Sequence, residues 1–356
     1  MDTDSDVLLE VKGLRTRFRT DDADVTAVNG ANLRLRRGRT LCVVGESGCG
    51  KSVTARSILR LIDPPGRIVD GEILLRRDGS DGRPAETIDL AALKPTGRRI
   101  REIRGRDIAM IFQEPMASLS LVHRVGNQIG EAIRVHNPMP RRQARQRVLE
   151  LLDQVEIPNP ERTIDAYPFQ LSGGMRQRVM IAMALSCSPR LLIADEPTTA
   201  LDVTTQAQIM DLLVGLQHQQ DMALMFITHD MGVVAEMADD VAVMYLGHVV
   251  EKGPVDTIFH DPKHPYTRAL LDSIPRIGGA RRERLSTIRG TVPAPADQPS
   301  GCVFRDRCDF VMPGRCDRIV PPPIDLGPER HVRCLLHGGA EPEAEVTTSQ
   351  EAADAG

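Results

Sequence analysis

The sequence predicts an α/β fold in which a parallel sheet carries a phosphate-binding loop. The apolar run at residues 41–44 leads directly into residues 45–52, which fit the pattern G-x-x-x-x-G-K-[ST], and a helix-compatible stretch follows. Further short, continuous apolar runs at residues 191–194, 224–227 and 241–245 are typical of strands that are covered on both faces. A strand, a glycine-rich loop and a helix in this order predict a site for a polyphosphate.

Residues 7–112 are predicted to contain further strands, one helix and an inserted loop. Residues 7–44 alternate apolar and polar positions with turn residues between them, which predicts an antiparallel β layer ahead of the loop. We expect a helix over about 51–62 and a strand over 71–75. The polar, Gly/Asp-rich residues 76–95 are predicted to form an inserted loop, and residues 107–112 a further strand.

The second half of the chain changes character twice. Residues 120–185 show helical periodicity, and a later amphipathic helix is indicated by Ile209, Met210, Leu212, Leu213 and Leu216. From about residue 260 the composition shifts towards Pro, Gly and Arg. The final residues are rich in Ala, Glu and Thr, which predicts a disordered tail.

Composition excludes several classes of protein. At 356 residues with 41% hydrophobic and 26% charged residues, the chain suits a large globular domain with a smaller appendage. The formal net charge of −4 gives no reason to expect nucleic-acid binding. No apolar run approaches the ~18 residues needed to span a bilayer, and the acidic start is unlike a secretory signal. Seven cysteines, an odd number, favour a reducing compartment.

Lys51 and Ser52 are the chemically active residues of the loop. A lysine at this position can reach terminal phosphates, and the serine hydroxyl can ligate Mg²⁺. The alternative is a Gly-rich turn with a surface lysine, which the apolar strand before it disfavours. Backbone N–H groups from the whole loop would surround the phosphates, so the candidate binding set is Gly45, Ser47, Gly48, Cys49, Gly50, Lys51, Ser52 and Val53.

Four polar residues at other predicted strand ends complete a candidate catalytic site. Asp195 suits a Mg²⁺ ligand, and Glu196 suits the group that polarises an attacking water, although an acidic turn is the simpler alternative. Gln113 can bind Mg²⁺ or the water, but alone it would be an ordinary loop residue. His229 can donate a hydrogen bond to developing charge, although a lone histidine after a strand is more often structural.

The segment Leu171-Ser-Gly-Gly-Met-Arg-Gln177 has no role within an isolated phosphate-binding loop domain, yet it resembles the signature of ATP-binding cassette (ABC) ATPases. In order, the loop, Gln113, this segment, residues 191–196, Ala200-Leu-Asp202 and His229 resemble that family's six motifs over residues 8 to about 255. The resemblance implies a head-to-tail dimer that binds ATP and Mg²⁺, the latter through Ser52, Gln113 and Asp195. It assigns the partner's nucleotide to Ser172, Gly173, Gly174 and Gln177, the D-loop to Asp202 and adenine stacking to Phe18.

Finer details resemble the ATPases of dipeptide/oligopeptide (and nickel) importers. These are residues 45–52, Phe112-Gln-Glu-Pro-Met-x-Ser-Leu119, residues 167–178, His264-Pro-Tyr-Thr267, and a tail running from Gly290 to Cys308. The chain departs from that family at Ser120-Leu121, Phe169 and Cys49. The resemblance implies a second homologous ATPase in a heterodimer, two permease subunits, an external solute-binding protein acting indirectly, and a peripheral position at the cytoplasmic face of the membrane. The rival interpretation to an importer ATPase is a soluble ABC protein that acts in translation or DNA repair. Both this rival and an exporter are disfavoured.

We therefore predict an ABC ATPase domain over residues 1–258. It would combine a RecA-like P-loop core, an antiparallel β subdomain and a helical subdomain at about 115–185. A C-terminal peptide-importer-type module with four cysteines would follow over 259–338, and a disordered tail over 339–356.

The C-terminal cysteines suggest a stapled module. Cys302, Cys308, Cys316 and Cys334 are separated by five, seven and seventeen residues, in a Pro/Arg-rich stretch with little apolar material. A reducing compartment disfavours disulfides, which leaves metal binding or free thiols. The wide spacing and the resemblance to peptide-importer ATPases favour a 4Fe–4S cluster, with zinc or another metal and unliganded cysteines as alternatives. His331 and His337 are alternative ligands, although surface histidines are the simpler interpretation.

Overall fold

Two sheets organise the part of the chain that the computed structural model describes, which is residues 6–19, 23–78, 85–114, 118–199, 201–274 and 288–338. The strands are β1 (Val7–Arg19), β2 (Asp24–Arg36), β3 (Thr40–Val44), β4 (Gly66–Arg77), β5 (Glu86–Asp89), β6 (Ile108–Ile111), β7 (Leu191–Asp195), β8 (Ala223–Thr228), β9 (Asp240–Tyr245), β10 (His248–Pro254), β11 (Ile324–Asp325) and β12 (His331–Val332). The helices are α1 (Lys51–Ile58), α2 (Arg98–Ile103), α3 (Val125–His136), α4 (Arg141–Gln154), α5 (Pro160–Thr163), α6 (Gly173–Ala184), α7 (Val203–Gln220), α8 (Met231–Met237), α9 (Val255–His260) and α10 (Pro265–Asp272).

The smaller, antiparallel sheet has the strand order β2-β1-β4-β5. The antiparallel layer predicted ahead of the loop is confirmed by β1 and β2. Strand β4 is longer than predicted, and β5 occupies part of the stretch predicted as an inserted loop, pairing Asp89 with Leu74 and Glu86 with Arg77. The prediction of an inserted loop over residues 76–95 was therefore wrong at residues 86–89. The four residues of β5 are too few to show a clear alternation of apolar and polar positions in the sequence.

The larger sheet, here the central sheet, has the order β11-β12-β10-β9-β3-β8-β7-β6, and the run from β9 to β6 is parallel. Successive residues of β3 enter two different hydrophobic clusters: Cys42 and Val44 belong to one, and Leu41 and Val43 to the other. Both faces of the sheet are therefore buried, as the continuous apolar runs predict.

Each face of the central sheet has its own covering. The cluster of Leu41 and Val43 includes residues of α1 and of the antiparallel sheet. The cluster of Cys42 and Val44 includes residues of α3, α4, α6 and α7. These helices confirm the helical character predicted for residues 120–185 and the amphipathic helix that contains Ile209. Helix α1 ends at Ile58, four residues before its predicted end.

The region after residue 259 is joined to the central sheet. Strand β12 pairs with β10 through Val332 and Glu251, and β11 pairs with β12. The ring of Phe304, 2% exposed, lies 5.2 Å from Tyr245 of β9 and 5.3 Å from Tyr266 of α10, measured between centroids. The domain boundary at residue 259 stays a prediction, and the packing continues across it. The predicted tail, residues 339–356, lies outside the described residues.

None of the helices in the described ranges is long and apolar enough to cross a membrane.

We expect Phe304→Ala to lower the free energy of unfolding by about 3–5 kcal/mol, because it empties a buried aromatic contact between the C-terminal region and β9. Phe310→Ala is the matched control, because Phe310 belongs to the same region and is 51% exposed. The control should stay within about 0.5 kcal/mol of the wild type. Urea unfolding of the full chain measures both, and equal shifts would show that the Phe304 cluster does not anchor this region.

Candidate functional site

The loop between β3 and α1 is held in a conformation that requires glycine. Gly45, Gly48 and Gly50 have φ angles of 151°, 79° and 100°. A Cβ on Gly45 would lie 2.2 Å from the carbonyl oxygen of Met244, and one on Gly50 would lie 2.3 Å from the carbonyl oxygen of Ala27. The loop backbone is thus packed directly against neighbouring backbone at the start of α1, where the motif predicts an anion-binding surface.

The side chain of Lys51 lies within this loop. Its exposure is 4%, and its Nζ donates hydrogen bonds to the carbonyl oxygens of Gly45 at 2.7 Å and Glu46 at 3.1 Å. The same Nζ lies 3.9 Å from Oε1 of Glu196. The ammonium group therefore faces the loop and the end of β7, where it can neutralise the charge of a bound polyphosphate.

Ser52 and Asp195 form a pair that suits a magnesium ion. Ser52 Oγ donates a 2.8 Å hydrogen bond to Asp195 Oδ1, and Asp195 ends β7 with 1% exposure. Burial raises the pKa of Asp195, while the Ser52 hydrogen bond and the charges of Arg56 and Lys51 act in the opposite direction. A hydroxyl and a carboxylate side by side are ligands that Mg²⁺ accepts. These residues, with the buried Lys51 and the glycine cradle, therefore fit a nucleotide with Mg²⁺.

Glu196 is the point at which the predicted catalytic residues meet. Its Oε2 accepts hydrogen bonds of 3.1 Å from Gln113 Nε2 and from Thr199 Oγ1, and it lies 3.8 Å from His229 Nδ1. The backbone of Glu196 adopts a φ of 45°, a left-handed conformation that is uncommon outside glycine and is often found at functional sites. Gln113 and Glu196 are thereby in contact, although they lie 83 positions apart in sequence.

Thr199 was missed by the sequence reasoning. It lies three residues after Glu196 and bonds its carboxylate. A hydroxyl three residues after an acidic residue gives a signal only once the turn that joins them is known.

The signature segment is organised around the start of α6. Ser172 is the N-cap of that helix and accepts a 3.3 Å hydrogen bond from the backbone N–H of Met175. A Cβ on Gly174 would lie 2.8 Å from Cγ2 of Thr205, so a larger residue would clash with α7. Gln177 is buried, and its Nε2 has no hydrogen-bond partner among the described residues.

Asp202 is the N-cap of α7. Its carboxylate accepts hydrogen bonds from the backbone N–H of Thr205 at 2.9 Å and from the Thr205 hydroxyl at 2.8 Å. These bonds lower the pKa of Asp202. Thr205 thus links the two segments, because it bonds the predicted D-loop residue Asp202 and lies against Gly174 of the signature segment.

Phe18 lies near the end of β1, opposite Gly66 of β4. A Cβ on Gly66 would lie 2.4 Å from its ring, so the ring covers that strand. Its assignment as the adenine-stacking residue stays a prediction.

The predicted 4Fe–4S cluster is not supported, and the prediction of an iron–sulfur or other metal-binding site in the C-terminal region is corrected. Within the residues that the structure describes, no group of three or more His, Cys, Asp or Glu side chains could hold a metal ion. Burial raises the pKa of Cys302 to about 12 and also raises the pKa of Cys308 and Cys334.

Buried thiols of this kind stay protonated and pack as small hydrophobic side chains. Cys302 and Cys316 belong to the same hydrophobic cluster as Phe304, and the backbone N–H of Cys302 bonds the carbonyl of Cys316 at 2.7 Å. Sequence spacing alone could not reveal this, because it gives the number of residues between thiols and not their distances.

Comparisons with known proteins agree with this geometry. Residues 28–199 match the family described as ABC transporter, and residues 250–316 match the oligopeptide/dipeptide transporter C-terminal region. The chain is 51% identical to a putative peptide import ATP-binding protein of Brucella ovis, over 92% of this chain and 96% of that protein. It is 47% identical to the oligopeptide transport ATP-binding protein OppD of Bacillus subtilis, over 94% and 90% of the two chains.

Solved structures show the same fold. A dimeric ATP-binding cassette in a post-hydrolysis state, bound to ADP and phosphate, aligns with a TM-score of 0.59 at 26% identity and covers 69% of this chain and 98% of that one. The protein cbiO1 of Clostridium perfringens, part of the ABC transporter complex cbiONQ, aligns with a TM-score of 0.57 at 28% identity, covering 72% and 92% of the two chains.

We expect Gly50→Ala to destabilise the protein by about 1–3 kcal/mol, because alanine is strained at a φ of 100° and its Cβ would meet the carbonyl of Ala27. Gly215→Ala is the matched control, since Gly215 lies within α7 and an added Cβ would have nothing within 4 Å. The control should gain up to about 1 kcal/mol from the higher helix propensity of alanine. Thermal unfolding of both variants checks the difference, and an equal response would contradict the close backbone approach.

Proposed function

The chain belongs to the family of ABC transporter ATP-binding proteins, and we propose that it is the ATP-hydrolysing subunit of an importer that carries di- or oligopeptides across the cytoplasmic membrane. The observation that carries the ATPase activity is the convergence of Lys51, Gln113 and His229 on Glu196 beside the glycine-rich loop. The cargo class rests on the C-terminal region of residues 250–316 and on relatives that are named for peptide import.

We assign the chemical roles as follows. Bound MgATP supplies the phosphoanhydride bond that is cleaved. Lys51 would bind its terminal phosphates, and Ser52 and Asp195 would hold the metal ion. Glu196 takes the role of the base that polarises the attacking water, since its carboxylate is already oriented by two hydrogen bonds.

The neighbours of Glu196 have supporting roles. Gln113 lies two residues after β6 and contributes to the water or metal site. His229 is 67% exposed at its side chain, so its imidazole is free to donate a hydrogen bond to charge that develops on the γ-phosphate.

The second half of each ATP site comes from a partner cassette. In this arrangement Ser172, Gly173, Gly174 and Gln177 serve the partner's nucleotide, and Asp202 lies at the same interface. Support comes from the position of Ser172 at the N-terminus of α6, where backbone N–H groups favour an anion. Further support is that a solved cassette of the same fold is a dimer. We propose a second, homologous ATPase as that partner.

The remaining partners are two permease subunits, through which an external solute-binding protein would act. We propose the surface after Gln113, at about residues 114–133, as the permease-docking site. Leu121 and Val122 in this segment are 41% and 77% exposed, which suits an apolar contact with another subunit. Docking there would hold the chain at the cytoplasmic face of the membrane as a peripheral subunit.

We propose three units within the chain: a cassette over residues 1–258 with a helical subdomain at about 115–185, a C-terminal region over 259–338 that carries the four cysteines, and a tail over 339–356. After α10, the described elements are short strands and 3₁₀ turns instead of helices. This change supports a separate C-terminal unit.

Glu196→Gln should keep ATP binding and slow hydrolysis by about two orders of magnitude or more, because the water loses its base while the loop is unchanged. Lys51→Ala should instead weaken binding itself, since it removes the positive charge from the phosphates. Calorimetric titration with MgATP and steady-state phosphate release separate the two effects. Glu236→Gln, at an exposed carboxylate of α8, is the control. Wild-type turnover by Glu196→Gln would refute its assignment as the base.

For the purified chain without its partner ATPase, we expect the ATPase rate per chain to rise with protein concentration, because a second copy of the chain must then supply the signature segment. A dilution series, with the mass of the species measured by light scattering, tests this. Mixing Lys51→Ala chains with Ser172→Ala chains should recover part of the activity, since one composite site in the mixed dimer keeps both its loop and its signature. A constant rate in demonstrably monomeric protein would contradict the shared site.

A further inference from the structure

Glu46, the second residue of the glycine-rich loop, is bonded to the C-terminal region. Arg307 donates two hydrogen bonds to its carboxylate, from Nη1 to Oε2 at 2.6 Å and from Nη2 to Oε1 at 3.0 Å. The two residues are 261 positions apart in sequence. A bidentate arginine–carboxylate pair is among the stronger and more directional contacts available to a protein.

Arg307 is itself fixed in place. Its Nε donates a 2.7 Å hydrogen bond to the carbonyl of Arg289, and its guanidinium carbon lies 5.7 Å from the centre of the Tyr245 ring. The Arg307 side chain is 5% exposed, against 28% for Glu46. A buried guanidinium is costly unless it is paired, so the position of Arg307 is defined by these partners, and in turn it defines the position of Glu46.

The backbone of Glu46 is also held, by Tyr266 and by residues of the loop. Its N–H donates a 2.9 Å hydrogen bond to the hydroxyl of Tyr266, which is fully buried in α10. Its carbonyl oxygen accepts hydrogen bonds from Lys51 Nζ at 3.1 Å and from the N–H of Cys49 at 3.3 Å. The residue that the C-terminal region holds is therefore the residue that orients the phosphate-binding lysine.

We propose that Arg307 and Tyr266 are positioning residues for the nucleotide, acting through Glu46. They preform the loop with Lys51 turned towards the phosphate site, and Arg307 balances a carboxylate that would otherwise repel a polyphosphate. This inference rests on the proposed binding of MgATP at the loop. It gives the C-terminal region a part in nucleotide binding, although that region contributes no residue of the phosphate-binding motif.

The test is calorimetric titration of the full-length chain with MgATP. Arg307→Ala should raise Kd by about tenfold, since it removes a charged bidentate contact and leaves Glu46 unpaired. Arg307→Lys keeps the charge without the fork and should raise Kd by about threefold. Glu46→Gln in the Arg307→Ala background should return Kd to within about threefold of the wild type, because the unbalanced charge is gone.

Arg305→Ala is the matched control. Arg305 lies in the same 3₁₀ turn, but its Nη1 bonds the carbonyl oxygens of Ser300 at 2.7 Å and Asp317 at 3.1 Å, within the C-terminal region. Arg305→Ala should lower the thermal midpoint while leaving Kd within about twofold of the wild type. If a general loosening of the region raised Kd, Arg305→Ala and Arg307→Ala would raise it alike.

Tyr266→Phe and Arg307→Lys keep the test decisive if Arg307→Ala does not fold. The first removes one hydroxyl and should raise Kd by about threefold. Wild-type Kd values in both variants, or equal Kd values for Arg307→Ala and Arg305→Ala, would overturn the inference. Failure of the wild-type chain to bind MgATP would instead refute the proposed function.

Discussion

The burial of both faces of the central sheet is the constraint on which the rest of the structure depends. Strands β3, β7 and β8 are buried along their whole length, so a polar side chain has no place within them. Polar groups can appear only where a strand ends. The carboxyl ends of parallel strands lie along one edge, and the phosphate-binding loop, Asp195 with Glu196, and His229 all follow such ends. The site is thus a consequence of the sheet.

Burial also explains how the site keeps its geometry. Glu196 is held by the backbone bond from its N–H to the carbonyl of Ile227 at 3.0 Å, and its carboxylate by Gln113 and Thr199. The loop has backbone against it on two sides, from Ala27 and from Met244. A mobile site would spend binding free energy on ordering itself, whereas these contacts order the loop and Glu196 of this chain without a nucleotide.

The C-terminal region extends this rigid framework. Its strand β12 continues the central sheet beyond β10, and Phe304 packs between two tyrosines that precede and follow β10. Lys263 and His264 are tied to the same sheet, because their backbone N–H groups bond the buried carboxylate of Glu251 at 2.7 and 2.8 Å. A region with few apolar residues of its own is therefore stabilised by the core of the cassette, to which Cys302 and Cys316 add buried thiols.

The sequence by itself determined the α/β class, the parallel core strands and the phosphate-binding loop, because apolar runs and glycine spacing are local properties. It also named Lys51, Asp195, Glu196, Gln113 and His229, whose residue types suit the chemistry. Tertiary structure alone decided that Gln113 contacts Glu196, that β5 completes the antiparallel sheet, and that the four spaced cysteines form no metal site among the residues that the structure describes. It also decided that Arg307 meets Glu46. These are long-range contacts, and their distances depend on how the whole chain packs, which no local pattern encodes.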